Sequence, residues 1–178
     1  MTYLYHRVPQ SFTGSILYPL NVLKTKLPKR YASQVKKYAG RELLTRQIVP
    51  PLGCLWNDVL HFSPVHPAQI KAGLTAAGFE PKAMQWFAVD PITAGLNQHN
   101  AAIYLYPAKR FVDFRKMAND FTSFNLEALK GFKELPKATL TYYQESKQAG
   151  KAPLLFHRIP HILYQGSLSL NQMTLITV

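Results

Sequence analysis

The pattern of hydrophobic and polar positions opens with a period of two. From Tyr3 to Val8, aromatic and aliphatic residues alternate with polar ones and stop at Pro9, which predicts a first strand carrying His6-Arg7 near its end. Ser11 to Ser15 supplies a turn. Leu17 to Leu27 then predicts a short helix, opened by Pro19 and ended by Pro28. Tyr31, Val35 and Tyr38 recur at i, i+4 and i+7, one face of a second helix whose other side carries lysines, and Gly40 breaks or caps it. Arg41 to Ile48 reads as a further helical piece, ended by Pro50-Pro51.

The stretch Cys54 to Ile70 is the most informative in the chain. Leu55, Val59, Leu60 and Phe62 place aliphatic and aromatic bulk where a strand would pack it. Pro64 and Pro67 then force the chain to turn, because each fixes its own φ and pushes the preceding residue out of the α region. A helix from Pro67 to Ala77 follows, with proline suited to its first position, Ile70 and Leu74 on one face, and Gly78 closing it. The elbow gathers Trp56, Asn57, Asp58, His61, Ser63 and His66, a density of polar and aromatic groups that reads as the floor of a site.

Beyond the connector Gly78 to Pro81, Met84 to Val89 and Ala101 to Tyr106 predict strands, the second with two tyrosines on one face, separated by a loop from Asp90 to Asn100. Lys109 to Ala118, Leu126 to Phe132 and Ala138 to Ser146 predict helices that serve as cover. Leu154 to Ile159, Ile162 to Leu168 and Thr174 to Val178 predict strands. Leu155-Phe-His-Arg-Ile-Pro160 echoes Leu4-Tyr-His-Arg-Val-Pro9, an expectation of two strand ends presenting His-Arg pairs in one sheet. Together these elements predict one α+β domain over residues 1–178, built on a split, mixed sheet with peripheral helices.

Composition sharpens this picture. With 178 residues, 47% hydrophobic and 12% aromatic, the chain can hold a core, and no apolar run approaches the ~20 residues of a membrane span. The opening residues lack a secretory pattern, and the single cysteine, Cys54, lies in an apolar run, so a cytosolic protein with no membrane partner is expected. Twenty-one Lys and Arg against nine Asp and Glu give a net charge of +12, an excess that draws polyanions. Lys24, Lys26, Lys29, Arg30, Lys36 and Lys37 lie in the most basic stretch, which also holds Arg41 and Arg46 and only one acid, Glu42. They are the candidate nucleic-acid contacts.

Six histidines invite a metal reading, but there is no His-Glu-x-x-His motif, no paired cysteines and no i, i+4 histidine pair on a helix, so no metal is expected. Gly-x-Ser-x-Gly, phosphate-loop and dinucleotide-fold fingerprints are absent as well. What remains is His, Arg, Tyr and Ser at strand ends. Those groups suit a phosphorylated ligand: arginine grips a diphosphate, histidine and serine bond ribose hydroxyls, and aromatic rings stack on a heterocycle.

Leu4-Tyr-His-Arg7 resembles the first strand of the ADP-ribosyltransferase superfamily, where a histidine holds NAD ribose in the branch containing the poly-ADP-ribose polymerases. Leu60 to Ile70 resembles the aromatic strand and following helix of that superfamily, and more closely the DarT-type toxins that ADP-ribosylate DNA. Pro160 to Leu170 resembles the strand that normally presents a catalytic glutamate, but this chain has His161 there, or Pro160 if the register slips by one.

The resemblance implies NAD as substrate. His6, Arg7, Arg41, Trp56, His61, Phe62, Ser63 and His66 would bind it, and Arg46 (or Arg41) and His161 would be catalytic. It also implies a nucleic acid or nucleotide as acceptor, and a toxin or phage-defence role with an antitoxin partner. The RNA 2′-phosphotransferases share that fold and work without the glutamate, which keeps phosphate transfer from an RNA 2′-phosphate as an alternative. A non-catalytic basic nucleic-acid-binding module is the other.

Overall fold

A computed structural model describes residues 2–10, 12–106 and 118–178. The N-terminal alternation forms β1 (Leu4–Arg7), and β2 (Ile16–Leu17) precedes α1 (Leu20–Lys26) and α2 (Pro28–Gln34). Two 3₁₀ turns, Val35–Tyr38 and Glu42–Arg46, lead to the two-residue strands β3 (Ile48–Val49) and β4 (Cys54–Leu55). A tight turn over Trp56–Asp58 then delivers β5 (Leu60–Phe62) and α3 (Pro67–Ala76). After these come β6 (Gln85–Val89), β7 (Ala101–Tyr104), β8 (Phe121–Ser123), α4 (Leu126–Leu129) and α5 (Lys137–Gln148). The chain closes with β9 (His161–Tyr164), β10 (Leu168–Ser169) and β11 (Met173–Thr177).

Two sheets carry the architecture. One has the order β1-β6-β11 and the other β5-β9-β7-β8, while β10-β2 and β3-β4 form small two-stranded pairs. Every strand pair among the described residues is antiparallel, which corrects the expectation of a mixed sheet. The main sheets meet at one bridge, where Tyr5 and Ser63 exchange both backbone hydrogen bonds at 2.8 Å.

The two-residue period sorts side chains between cores. Leu4, Phe62, Phe87, Val89, Ile103 and Ile162 form a cluster to which both sheets contribute. Trp86, Ala88, Tyr143 and Ile159 pack with Ile70 and Leu74 of α3 in a second cluster. Ala102, Tyr104 and Leu163, one position out of phase with Ile103 and Ile162, join Trp56, Leu20, Leu23 and Tyr38 in a third. α3 keeps its expected place because Pro67 opens it and the His66 ring caps it, Nδ1 accepting from the Ala68 N–H at 3.1 Å.

Several expected elements differ, each for a local reason. Cys54 to Phe62 is not one strand, because the Asp58 carboxylate accepts from the Leu55 N–H at 2.8 Å and folds Trp56–Asp58 into a turn. Leu17 pairs with Leu168 in a sheet, so the first helix starts only at Leu20. The Tyr31–Tyr38 and Arg41–Ile48 stretches finish as 3₁₀ turns. Leu154 to Ile159 is a turn rather than a strand: His157 N–H bonds the Leu154 carbonyl at 3.1 Å, and Arg158 takes a left-handed φ of 62°. α5 holds it there through Thr139 Oγ1 to the His157 carbonyl and Tyr143 OH to the Leu155 carbonyl. The echo of β1 therefore does not place a second His-Arg strand beside the first. The expected helix Lys109 to Ala118 lies outside the described residues, apart from Ala118, which begins a 3₁₀ turn. No helix among the described residues is long and apolar enough to cross a membrane.

Phe62 is fully buried between the sheets. Phe62→Ala is expected to cost about 3–5 kcal/mol of folding stability in urea denaturation. Weakened ligand binding at unchanged stability would instead put that ring in the site.

Candidate functional site

The cleft of interest lies along the side of the four-stranded sheet opposite Phe62 and Ile162. Strand alternation turns Leu60 and Phe62 into the shared core and His61 the other way. In the neighbouring strands the same logic pairs His161 of β9 with Tyr104 of β7 across the ladder. Trp56 packs onto this surface, its ring 4.7 Å from that of His61, 5.4 Å from Tyr104 and 6.0 Å from His161. His6 arrives from the other sheet, because the Tyr5–Ser63 bridge brings β1 alongside β5. Its Nδ1 lies 2.8 Å from the His61 carbonyl.

These rings line a cleft of about 1580 Å³, larger than the roughly 300–1,000 Å³ usual for small-molecule sites. Arg7, Arg30, Lys37 and Arg41 line it as well, together with His157 and Tyr106. No Asp or Glu is among the described lining residues. Lys37 and Arg41 both lie near the Tyr38 ring, 5.4 and 5.9 Å from its centre, and an Arg41 N–H donates to the Lys37 carbonyl. Arg30 donates to the Thr13 carbonyl at 2.8 Å and lies over Phe12.

The hydrogen bonds fix ring tautomers. A backbone carbonyl only accepts, so Nδ1 carries the proton in His6 and in His161, whose Nδ1 is 2.7 Å from the Ile159 carbonyl. Nε2 of each neutral ring therefore carries the lone pair. Burial pushes the His6 pKa down to about 4 despite its bond to His61, with Lys37 adding to the effect. Burial also lowers His161 to about 4, against the opposing bond to Ile159, and lowers His157 to about 4 with help from Arg158. His61 falls well below its usual value through burial first, then through His161, Lys37 and His6. Tyr106 OH and His157 Nδ1 are 2.6 Å apart, and burial raises the Tyr106 phenol to about 12.

Of the residues expected from the sequence, the fold brings His6, Arg7, Arg41, Trp56, His61 and His161 to this cleft, with Arg30 and Lys37. It places others elsewhere. Arg46 is exposed at the end of its 3₁₀ turn, away from the cleft lining. Phe62 is core. Ser63 is buried with Oγ bonded to the Val65 backbone, and His66 is a helix cap. Lys24, Lys26, Lys29 and Lys36 are exposed outside the lining. Tyr104, Tyr106, His157 and Gln47 are cleft residues outside the set of candidate site residues read from the sequence, although the two tyrosines on one face of the expected strand Ala101 to Tyr106 and the His157-Arg158 pair were signals for three of them. Among the described residues, no cluster of three or more His, Cys, Asp or Glu could hold a metal. The chain matches no family model, no curated protein and no solved structure.

Four depressed histidines make stability depend on pH with a definite sign. Between pH 6.5 and about 4 the unfolded chain binds more protons than the folded one, so stability is present above pH 6.5 and is lost as pH falls toward 4. At pH 4.5 each ring is expected to cost on the order of 1 kcal/mol, and 1 kcal/mol moves the midpoint by about 2–4 °C at this size. Thermal melts at pH 7.5 and 4.5 should differ by about 5 °C or more, with the acidic sample lower. Equal midpoints would contradict this.

Proposed function

We propose that this cleft binds NAD and that the chain transfers ADP-ribose to a nucleic acid or nucleotide. The observation that carries the reading is a cleft with four cationic side chains and several aromatic rings, and no carboxylate among its described lining residues. Such a lining favours a ligand that is both anionic and aromatic. Arg41 and Lys37 would meet the diphosphate, with Arg7 at the rim, because guanidinium and ammonium groups make charge-assisted hydrogen bonds to phosphate oxygens. His6, hydrogen-bonded to the neighbouring strand through Nδ1, would offer Nε2 to a ribose hydroxyl.

In the transfer step the bond between C1′ of the ribose and the nicotinamide nitrogen breaks, and the nicotinamide leaves with the electron pair. An acceptor oxygen or nitrogen forms the new bond to C1′. Its proton passes to His161 Nε2, the lone-pair nitrogen of a ring oriented by the Ile159 carbonyl. A bound diphosphate would raise the pKa of His161 from its low resting value toward the range useful for a base. The exposed Lys24, Lys26, Lys29 and Lys36 supply long-range attraction for a polyanionic acceptor.

The lack of a lining carboxylate also favours a second reading, phosphate transfer from an RNA 2′-phosphate onto NAD: the phosphate that bonds to C1′ as nicotinamide leaves is already an anion and needs no carboxylate to deprotonate it, and the neighbouring ribose hydroxyl then displaces the RNA 2′-oxygen from phosphorus. Mass analysis of products separates the two: an acceptor gaining ADP-ribose supports the first, and loss of an RNA 2′-phosphate supports the second.

Isothermal titration should detect NAD binding that Arg41→Ala weakens about tenfold or more, the loss expected of one charge-assisted phosphate contact. Arg46→Ala should leave it unchanged. Absence of binding at millimolar NAD would remove both readings, and a loss confined to Arg46→Ala would move the diphosphate out of this cleft.

A further inference from the structure

The three-stranded sheet leaves one long edge open. β1, at one side, is tied to β5 through Tyr5 and Ser63, whereas β11, at the other side, pairs only with β6 among the described residues. The ladder runs without a bulge from Met173 to Thr177, and Val178 prolongs it by exchanging both backbone hydrogen bonds with Met84, at 3.0 and 2.9 Å. That exchange fixes the phase of the strand. Hydrogen-bonded positions alternate in an antiparallel pair, so Thr174 and Ile176 also turn their N–H and C=O groups to β6, and Met173, Leu175 and Thr177 turn theirs outward. Thr174, Leu175 and Thr177 are exposed, Leu175 to 55%. Folded proteins guard such an edge with lysine, proline, a bulge or a covering element. β11 has no charge and no proline, and residues 159–178 contain no Lys, Arg, Asp or Glu.

We propose that β11 is a pairing edge for a second copy of this chain, the two strands lying antiparallel about a two-fold axis at Leu175. Charge selects that occupant. The chain as a whole carries +12 and draws anionic partners to its basic segments, but this edge has no charge to offer them. What it presents is a row of backbone donors and acceptors that complements itself under a two-fold rotation. With Leu175 opposite Leu175 of the second copy, Met173 meets Thr177 and Thr177 meets Met173, so the outward N–H and C=O groups of all three residues gain partners. Between them Thr174 lies opposite Ile176, a neutral β-branched pair suited to a strand seam. The pairing joins the two three-stranded sheets into one continuous sheet. Thr177 also lines the cleft, so the seam runs beside its wall. This pairing is independent of what the cleft binds.

Sedimentation velocity of the full chain over about 1–500 µM should show a reversible monomer–dimer equilibrium, because one strand pair buries less area than a standard interface and makes a weak contact. Leu175→Lys sets two ammonium groups opposite each other and should raise the dissociation constant at least about tenfold. The melting midpoint of the dilute variant should match that of the parent, because the side chain is exposed. A cysteine pair reads the register. In a Cys54→Ser background, which removes the native thiol, Leu175→Cys should give a disulfide-linked dimer under mild oxidation. Facing residues of a hydrogen-bonded pair lie about 5.5 Å apart at Cα, within disulfide reach. Thr174→Cys should not cross-link, since the two-fold axis displaces it along the strand from its own copy. A monomer at every concentration overturns the proposal, as does a dimer that Leu175→Lys leaves intact. Equal cross-linking by both cysteines rejects the register and with it the two-fold pairing.

Discussion

The seam between the two main sheets is the contact on which the site depends. Tyr5 and Ser63 exchange a pair of backbone hydrogen bonds, and one residue along β1 the His6 ring bonds the His61 carbonyl. That single register brings the N-terminal histidine to the strand that carries His61. A slip of one residue would turn His6 away and put Tyr5 in its place, since strand side chains alternate faces. Pro64 and Pro67 stop β5 just past the seam and start α3, so the sheet pairing and the elbow reinforce each other.

Around that seam the protein separates apolar and polar work by strand parity. One face of β5, β7 and β9 supplies Phe62, Ile103 and Ile162 to a core shared with the other sheet. The opposite face carries His61, Tyr104 and His161 into contact with Trp56. Because these rings are enclosed yet remain beside cationic side chains, they are held neutral. A cleft with neutral imidazoles on its floor and permanent cations on its flanks can receive an anion without repelling it and still offer lone pairs to its hydroxyls.

The same enclosure raises the cost of imperfect pairing. Water would satisfy Gln47 Oε1 and Asn57 Oδ1 in an open groove, but these atoms are buried. The Asp58 carboxylate, bonded to the Leu55 N–H and to Asn21, locks the turn that carries Asn57.

Local chemistry made much of the frame legible. The alternation of Leu4 to Arg7, the apolar run before Val89 and the Pro67 start of α3 each encode their element within a few residues, through side-chain period and the fixed φ of proline. Such signals do not reach across the chain. Leu155 to Arg158 copies Leu4 to Arg7 almost residue for residue, yet hydroxyls from α5 bend it into a turn. Arg46 and Arg41 are equivalent in composition and near each other in sequence, but only Arg41 is drawn to the cleft, against Tyr38 and the Lys37 carbonyl. By itself the sequence determined the α+β class, the elbow at Ser63 to Pro67 and the positive charge. Which imidazoles meet, and which guanidinium lines the cleft beside them, were decided only by strand register and packing, because contacts such as His6 with His61 and His61 with His161 join distant segments, beyond the range of any local periodicity.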